Sequence, residues 1–143
     1  MASFTKLNGF VEHLAEKVHN LGADTLKLAL SNTAPGSEGT PPTGATTACV
    51  LANVTQVSYT NLSTRTITIS ASSQSAGTYS LVATDLVLTS TGGSTGPFRY
   101  IYIYNDTATN DELIGYYDYG SAVTLGDGET FTADWGATLL TLA

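Results

Sequence analysis

Charge is what this chain has least of. Asp, Glu, Lys and Arg together make up 12 % of its 143 residues, about half the usual share of roughly 25 % in soluble domains. Thr, Ser and Gly fill the gap, and β-branched residues are many. That composition excludes a helical bundle with solvated faces and favours extended strands joined by turns. It also suits a surface covered in part by something other than water. Basic residues are the scarcer sign: five Lys and Arg stand against twelve Asp and Glu, a net charge of −7. Lys6, Lys17 and Lys27 lie in the first 27 positions, while Arg65 and Arg99 stand alone. No basic stripe follows a phosphate backbone, so nucleic acid is excluded as a direct partner. Cys49 is the one cysteine, which excludes an intrachain disulfide. No apolar run approaches the roughly 20 residues of a membrane span, and Met1 to Gly9 has no apolar signal core. The expectation is a protein made in a cytoplasm, with no membrane partner and no export signal.

At this length the chain is expected to form one domain over residues 1–143 with a real hydrophobic core. Phe4, Leu7, Phe10, Val11, Leu14, Val18 and Leu21 recur at steps of three and four, which predicts one amphipathic helix over residues 4–21. Ser3 is placed to cap its start and Gly22 to end it. The period then changes to two. Leu26, Leu28 and Leu30 alternate with smaller or polar residues, the mark of a strand with one buried face. Residues 33–47 hold Pro35, Pro41 and Pro42 among glycines and predict a long exposed loop. Residues 48–55 read as either a helical turn or a short strand.

Further period-two sets follow at 65–71, at Tyr79, Leu81 and Ala83, and at Leu86 and Leu88. A turn is expected over Gly92 to Pro97. The next strand places Phe98, Tyr100, Tyr102 and Tyr104 on one face and Arg99, Ile101 and Ile103 on the other, and is covered on both sides. Strands at 113–119 and 123–125 lead to Asp127-Gly128, a hairpin signal between Leu125 and Phe131, and segments 131–135 and 138–142 close the chain. About eight strands after one helix predict a mainly β fold: an antiparallel β-sandwich or flattened barrel, the jelly roll among its forms, with one N-terminal α-helix.

Few residue patterns point to chemistry. Gly92-Gly93-Ser94-Thr95-Gly96 matches the G-x-S-x-G string of serine hydrolases. That chemistry needs a strand-to-helix turn and a histidine base, whereas Pro97 and a strand follow here and both histidines precede the segment. A Gly/Ser turn accounts for the match. His13 and His19 are six residues apart; on a helix they point about 120° apart, which predicts two solvated side chains and no shared metal. Cys49 reads as a small buried residue. Asp106, Asp111 and Glu112 surround a loop with oxygen ligands for Ca²⁺, but their spacing departs from the regular calcium loop. Seven carboxylates crowd the C-terminal third, as a solvated acidic face or a patch for a basic partner. Tyr100, Tyr102, Tyr104, Tyr116, Tyr117 and Tyr119 suit a sugar- or protein-binding surface and suit a sandwich core equally. No catalytic constellation, metal site or cofactor loop is expected.

Two blocks carry a resemblance. They are FTKLNGFVEHLAEKVHNLGADTLKLALSNTAP, residues 4–35, and TGGSTGPFRYIYIYNDTATNDELIGYYDYGSAVTLGDGETF, residues 91–131. Together they span about half of the chain and resemble a family of small virion structural proteins of tailed bacteriophages. GPFRY, YNDTA and LIGYYDYG are its distinctive strings. The resemblance implies a particle component, located in the virion, and no reaction. Small size and sparse charge favour a capsid decoration (cement) protein that binds the major capsid protein lattice. The alternatives are a tail or neck structural protein, or a carbohydrate-binding adhesion module of the virion. Self-association as a homo-oligomer, a trimer first, is expected to cover open sheet edges. The contacts expected with the partner are Lys6, Lys17 and Lys27 with Pro35, Pro41 and Pro42 of the Pro/Gly loop.

Overall fold

A computed structural model of the chain describes residues 2–35 and 49–143. Strand β1 (Phe4–Lys6) precedes helix α1 (Asn8–Ala15), and the rest is β: β2 (Leu26–Ser31), β3 (Thr68–Ser75), β4 (Thr78–Thr84), β5 (Leu86–Thr89), β6 (Thr95–Asn105), β7 (Leu113–Leu125), β8 (Thr130–Ala133) and β9 (Leu140–Leu142). Every strand pair is antiparallel. The described residues are mainly β with one short α-helix near the N-terminus, as the period-two segments imply.

Three sheets, ordered β1-β7-β6-β2, β3-β4-β9 and β5-β8, enclose one core. Leu26, Leu28, Leu30, Ile101, Ile103 and Ile114 of the four-stranded sheet meet Leu81 and Ala83 of the second and Leu88 and Ala133 of the third. That is sandwich packing, with two small sheets covering one face of a larger one. The other face of the large sheet is covered as well. There Ala29, Tyr100, Tyr102, Tyr104 and Leu113 pack with Leu7, Cys49 and Val54. β2 is therefore buried on both faces rather than one. The segment at 48–55 resolves, from Cys49 on, into a bridge from Val50 to Glu112 and a 3-10 turn over Leu51–Asn53.

The N-terminal helix is shorter than the 4–21 expected from its periodicity. Phe4–Lys6 pairs instead with β7, in register with Tyr117, Tyr116 and Gly115. Gly115 permits this, since a Cβ there would collide with the Phe4 ring and come within 2.7 Å of the Thr5 carbonyl oxygen. Leu7, not Ser3, occupies the N-cap, and no side chain caps it. The helix ends at Ala15 because Lys17 turns left-handed, with φ of 68°. Val18 N–H then donates to the His13 carbonyl at 2.8 Å and Lys17 N–H to that of Leu14 at 3.3 Å. This is a Schellman termination with lysine where glycine is usual. Gly22 lies beyond it and ends nothing.

Two further expectations change at β6 and β7. Register shifts at Thr95/Phe98 and Phe98/Tyr100 interrupt the alternation of β6. Phe98 consequently joins Ile101 and Ile103 in the main core, apart from the three tyrosines. The segments 113–119 and 123–125 form one strand, β7. A tight turn does follow at Asp127-Gly128, with Glu129 N–H donating to Gly126 O at 3.0 Å. It does not make a hairpin, because β8 leaves β7 and pairs with β5. Residues 36–48, which include Pro41 and Pro42 of the Pro/Gly loop, lie outside the described residues.

Candidate functional site

The chain reversal at Lys17 carries His19 back beneath the helix, so the helical rotation that predicted divergent, solvated histidines does not apply. His13 and His19 are both 5 % exposed, and their ring centroids lie 5.8 Å apart, edge to face. Phe10 covers His19 at 5.2 Å. Fully buried Asn105, at the end of β6, organises this region. Its side-chain amide donates to His19 Nδ1 at 3.1 Å and to Asp24 Oδ2 at 2.6 Å. Its side-chain oxygen accepts from Thr107 N–H at 3.0 Å and Ala108 N–H at 3.2 Å. Because an amide nitrogen only donates, His19 Nδ1 accepts and the proton of the neutral ring sits on Nε2. His19 Nε2 and His13 Nδ1 find no hydrogen-bond partner.

Electrostatics keep this site neutral at the imidazole and charged at its edge. Burial pushes the His19 pKa down to about 4, neighbouring His13 pushes the same way, and Glu112 and Asp24 oppose them. Burial also works against ionising Glu112, but hydrogen bonds from the Asn110 side chain and nearby backbone outweigh it and hold its pKa below the usual range. Cys49 is fully buried, and burial raises its thiol to about 11. It stays protonated near pH 7 and supplies no nucleophile. A cleft of about 710 Å³ opens here, bordered by His13, Val50, Leu51, Gln56, Asp111 and Glu112. Among the described residues no group of three His, Cys, Asp or Glu side chains is placed to hold a metal ion. Asn105 ties the 19–24 segment to the end of the central sheet.

The remaining sequence candidates scatter. Lys6 lies on β1 and Lys27 on β2, the two opposite edges of the four-stranded sheet. At about 4.8 Å per strand this separates them by at least about 14 Å. Lys27 is also occupied, pairing with Asp106 at 2.8 Å. Lys17 is exposed at the helix terminus, and Pro35 is half-buried. Lys6 and Lys27 are therefore not neighbours.

The acidic third is dispersed in the same way. Asp118 grips Arg99 at 2.7 Å, and Asp127, Glu129 and Asp134 accept from the backbone N–H groups of Gly92, Gly126 and Gly136. These carboxylates shape turns. Ser94 of the G-x-S-x-G string is exposed, and strand β6 runs on from it. Its carbonyl accepts from the Asn61 side chain at 3.3 Å.

The tyrosines divide. Tyr100, Tyr102 and Tyr104 are core residues. Tyr117 and Tyr119 instead border a second cleft of about 280 Å³, with Phe131, Trp135 and Asp134. Tyr119 is half exposed and meets Phe131 edge-on at 5.3 Å. Tyr117 lies 5.9 Å from Trp135, and burial raises its hydroxyl pKa to about 12. Alternation along β7 signals this cleft only in part, because Phe131 on β8 and Trp135 just beyond it follow a strand whose partner the sequence does not disclose. No protein-family model, curated protein or solved structure matches this chain.

Proposed function

We propose that this chain is a non-catalytic structural component of a tailed-bacteriophage particle, a capsid decoration protein that binds and stabilises the major capsid protein lattice. The observation that carries this reading is where the family-like strings fall. GPFRY and LIGYYDYG lie on β6 and β7, the two central strands of the large sheet, and YNDTA lies at the end of β6 and in the loop beyond it. The resemblance thus centres on the middle strands of the large sheet. The reactive side chains support the same reading: the histidines and Cys49 are buried, and Lys27 and Arg99 are paired with carboxylates. The exposed surface left over is polar and sparsely charged, which fits broad protein contact. Many copies on equivalent lattice sites would stabilise a shell by mass action, because only the assembled state presents the sites. Electron cryomicroscopy of the particle tests this. Density for the chain over the shell at lattice positions is expected; density confined to the tail or neck would overturn the decoration role.

The aromatic cleft favours a second reading, a carbohydrate-binding module of the virion. Tyr119 with Phe131 offers an apolar stacking face and Asp134 a polar rim, the combination sugar sites use. Tyr102, fully buried, has no part in it. Saturable glycan-array binding that disappears in Tyr119→Ala would establish this reading, and silence on a broad array would remove it.

A further inference from the structure

The cleft between β7 and β8 is walled by aromatic rings whose polar atoms are largely taken. Tyr117 and Tyr119 reach it from β7, Phe131 from β8 and Trp135 from just beyond β8, and Ile101 completes the wall. Trp135 Nε1–H donates to Thr84 O at 3.0 Å, and the Tyr117 hydroxyl donates to Leu139 O at 3.2 Å. Neither Thr84 nor Leu139 borders the cleft, so Trp135 and Tyr117 give it ring surface rather than hydrogen bonds. Tyr119 meets Phe131 at 74° and Tyr117 meets Trp135 at 44°, so neither pair is stacked flat.

Charge at this cleft has one sign. Asp134 borders it, with one carboxylate oxygen accepting from Gly136 N–H at 2.8 Å. Asp85 accepts from the Trp135 backbone N–H at 3.0 Å and sets a second carboxylate next to that residue. Among the described residues no Lys or Arg borders the cleft. Lys6 borders the adjoining one, but it pairs with Gly115, four residues or about 14 Å along β7 from Tyr119. A ring face is the negative side of an aromatic quadrupole and attracts a cation. A carboxylate at the rim pulls the same way.

We propose that this cleft binds a quaternary ammonium headgroup of the choline type, held by Tyr119, Phe131 and Trp135 with Asp134 as its counter-ion. The lining selects this cation over others. An ammonium or guanidinium brings several N–H donors, and each needs an acceptor once it leaves water. Ring faces and Ile101 supply none, so those donors go unpaired against this wall. A quaternary ammonium has no N–H to satisfy: its methyl groups meet the rings and its charge meets the carboxylate. The volume, about 280 Å³, lies below the roughly 300–1,000 Å³ of sites for larger ligands and admits a headgroup. The proposal goes beyond the sugar reading of this cleft and rests on neither that reading nor the virion one.

Trp135 is the one tryptophan of the chain, so its fluorescence reports on this cleft alone. Titration with choline chloride, against sodium chloride at equal ionic strength, should change it saturably with a dissociation constant on the order of 1 mM. The neutral carbon isostere of choline, with a tert-butyl group in place of trimethylammonium, should bind at least about tenfold more weakly. Tyr119→Ala and Asp134→Asn should each weaken choline binding by about threefold to tenfold, and Tyr119→Phe, which keeps the ring, should retain it. Tyr119 is half exposed and Asp134 exposed, and thermal midpoints close to wild type show that the variants fold. Co-sedimentation with phosphatidylcholine vesicles separates the sources of the headgroup. Pelleting that is lost in Tyr119→Ala assigns it to a lipid, and choline binding without pelleting assigns it to a soluble compound. No saturable response to choline, equal affinity for the neutral isostere, or an unchanged response in Tyr119→Ala would overturn the proposal. Glycan binding through Tyr119 with no response to choline would overturn it and uphold the sugar reading.

Discussion

The centre of the large sheet and the β3–β4 hairpin are both antiparallel β-structure, yet they meet opposite surroundings. β6 is buried almost continuously from Tyr100 to Asn105, with the main core on one face and the tyrosine layer on the other. β3 is exposed over seven of its eight residues and, among the described residues, has no strand beside one edge. The first region holds the fold together. The second adds an uncharged edge that the fold does not need for its core. The difference shows that strand content alone says little: what each strand can do depends on how many of its faces and edges are already taken.

Truncation should show the contrast at its largest. Ile103→Ala opens a cavity in a fully buried site and is expected to lower stability by about 2–5 kcal/mol. Ser73→Ala, on exposed β3, should stay within about 0.5 kcal/mol. Urea unfolding of the two variants makes the comparison, and similar losses would break it.

A second effect comes from the polar cluster anchored to the end of β6. His19 has a folded pKa of about 4 against 6.5 for the free side chain. Between these values the unfolded chain binds more protons, so stability is full above about pH 6.5 and falls with pH until the folded pKa is passed. The loss due to His19 should reach on the order of 3 kcal/mol. Denaturant melts between pH 7 and 4.5 measure its slope, which His19→Gln should flatten.

A smaller effect sits at the helix terminus. Lys17 holds φ of 68°, a conformation that glycine adopts without steric cost. Lys17→Gly should raise stability by about 0.5–1 kcal/mol, read as a higher urea midpoint. An unchanged or lower midpoint would contradict the assigned termination.

Lys17 also marks where sequence reading stops. The alternation of Leu26, Leu28 and Leu30 was legible because one face of that strand meets the main core, and Ile101 and Ile103 were legible opposite the tyrosines for the same reason. The helix end was not, because its left-handed residue is a lysine and carries no glycine signal. A helix continued to residue 21 turns the two histidines outward and apart. The burial of His19 against Asn105 depends on the reversal and on a contact 86 residues away. Phe98 and Phe131 were misplaced by similar non-local causes, a register shift in β6 and a strand that leaves the expected hairpin to join β5. The open edge of β3 was half legible: its lack of charge is plain in the sequence, but its position at the end of a sheet is a matter of topology.

Residue-resolved amide hydrogen exchange tests the division between frame and open edge most directly. A two-residue turn at Ala76 and Gly77 joins Ser75 to Thr78; pairs alternate from there, so the N–H groups of Ser72 and Gln74 point away from β4. At low micromolar concentration the amides of Ile101 to Tyr104 should exchange only through global unfolding, while those of Ser72 and Gln74 exchange close to the rate of an unstructured chain. Equal protection in the two regions, or slower exchange at Ser72 and Gln74 than in β6, would contradict the account.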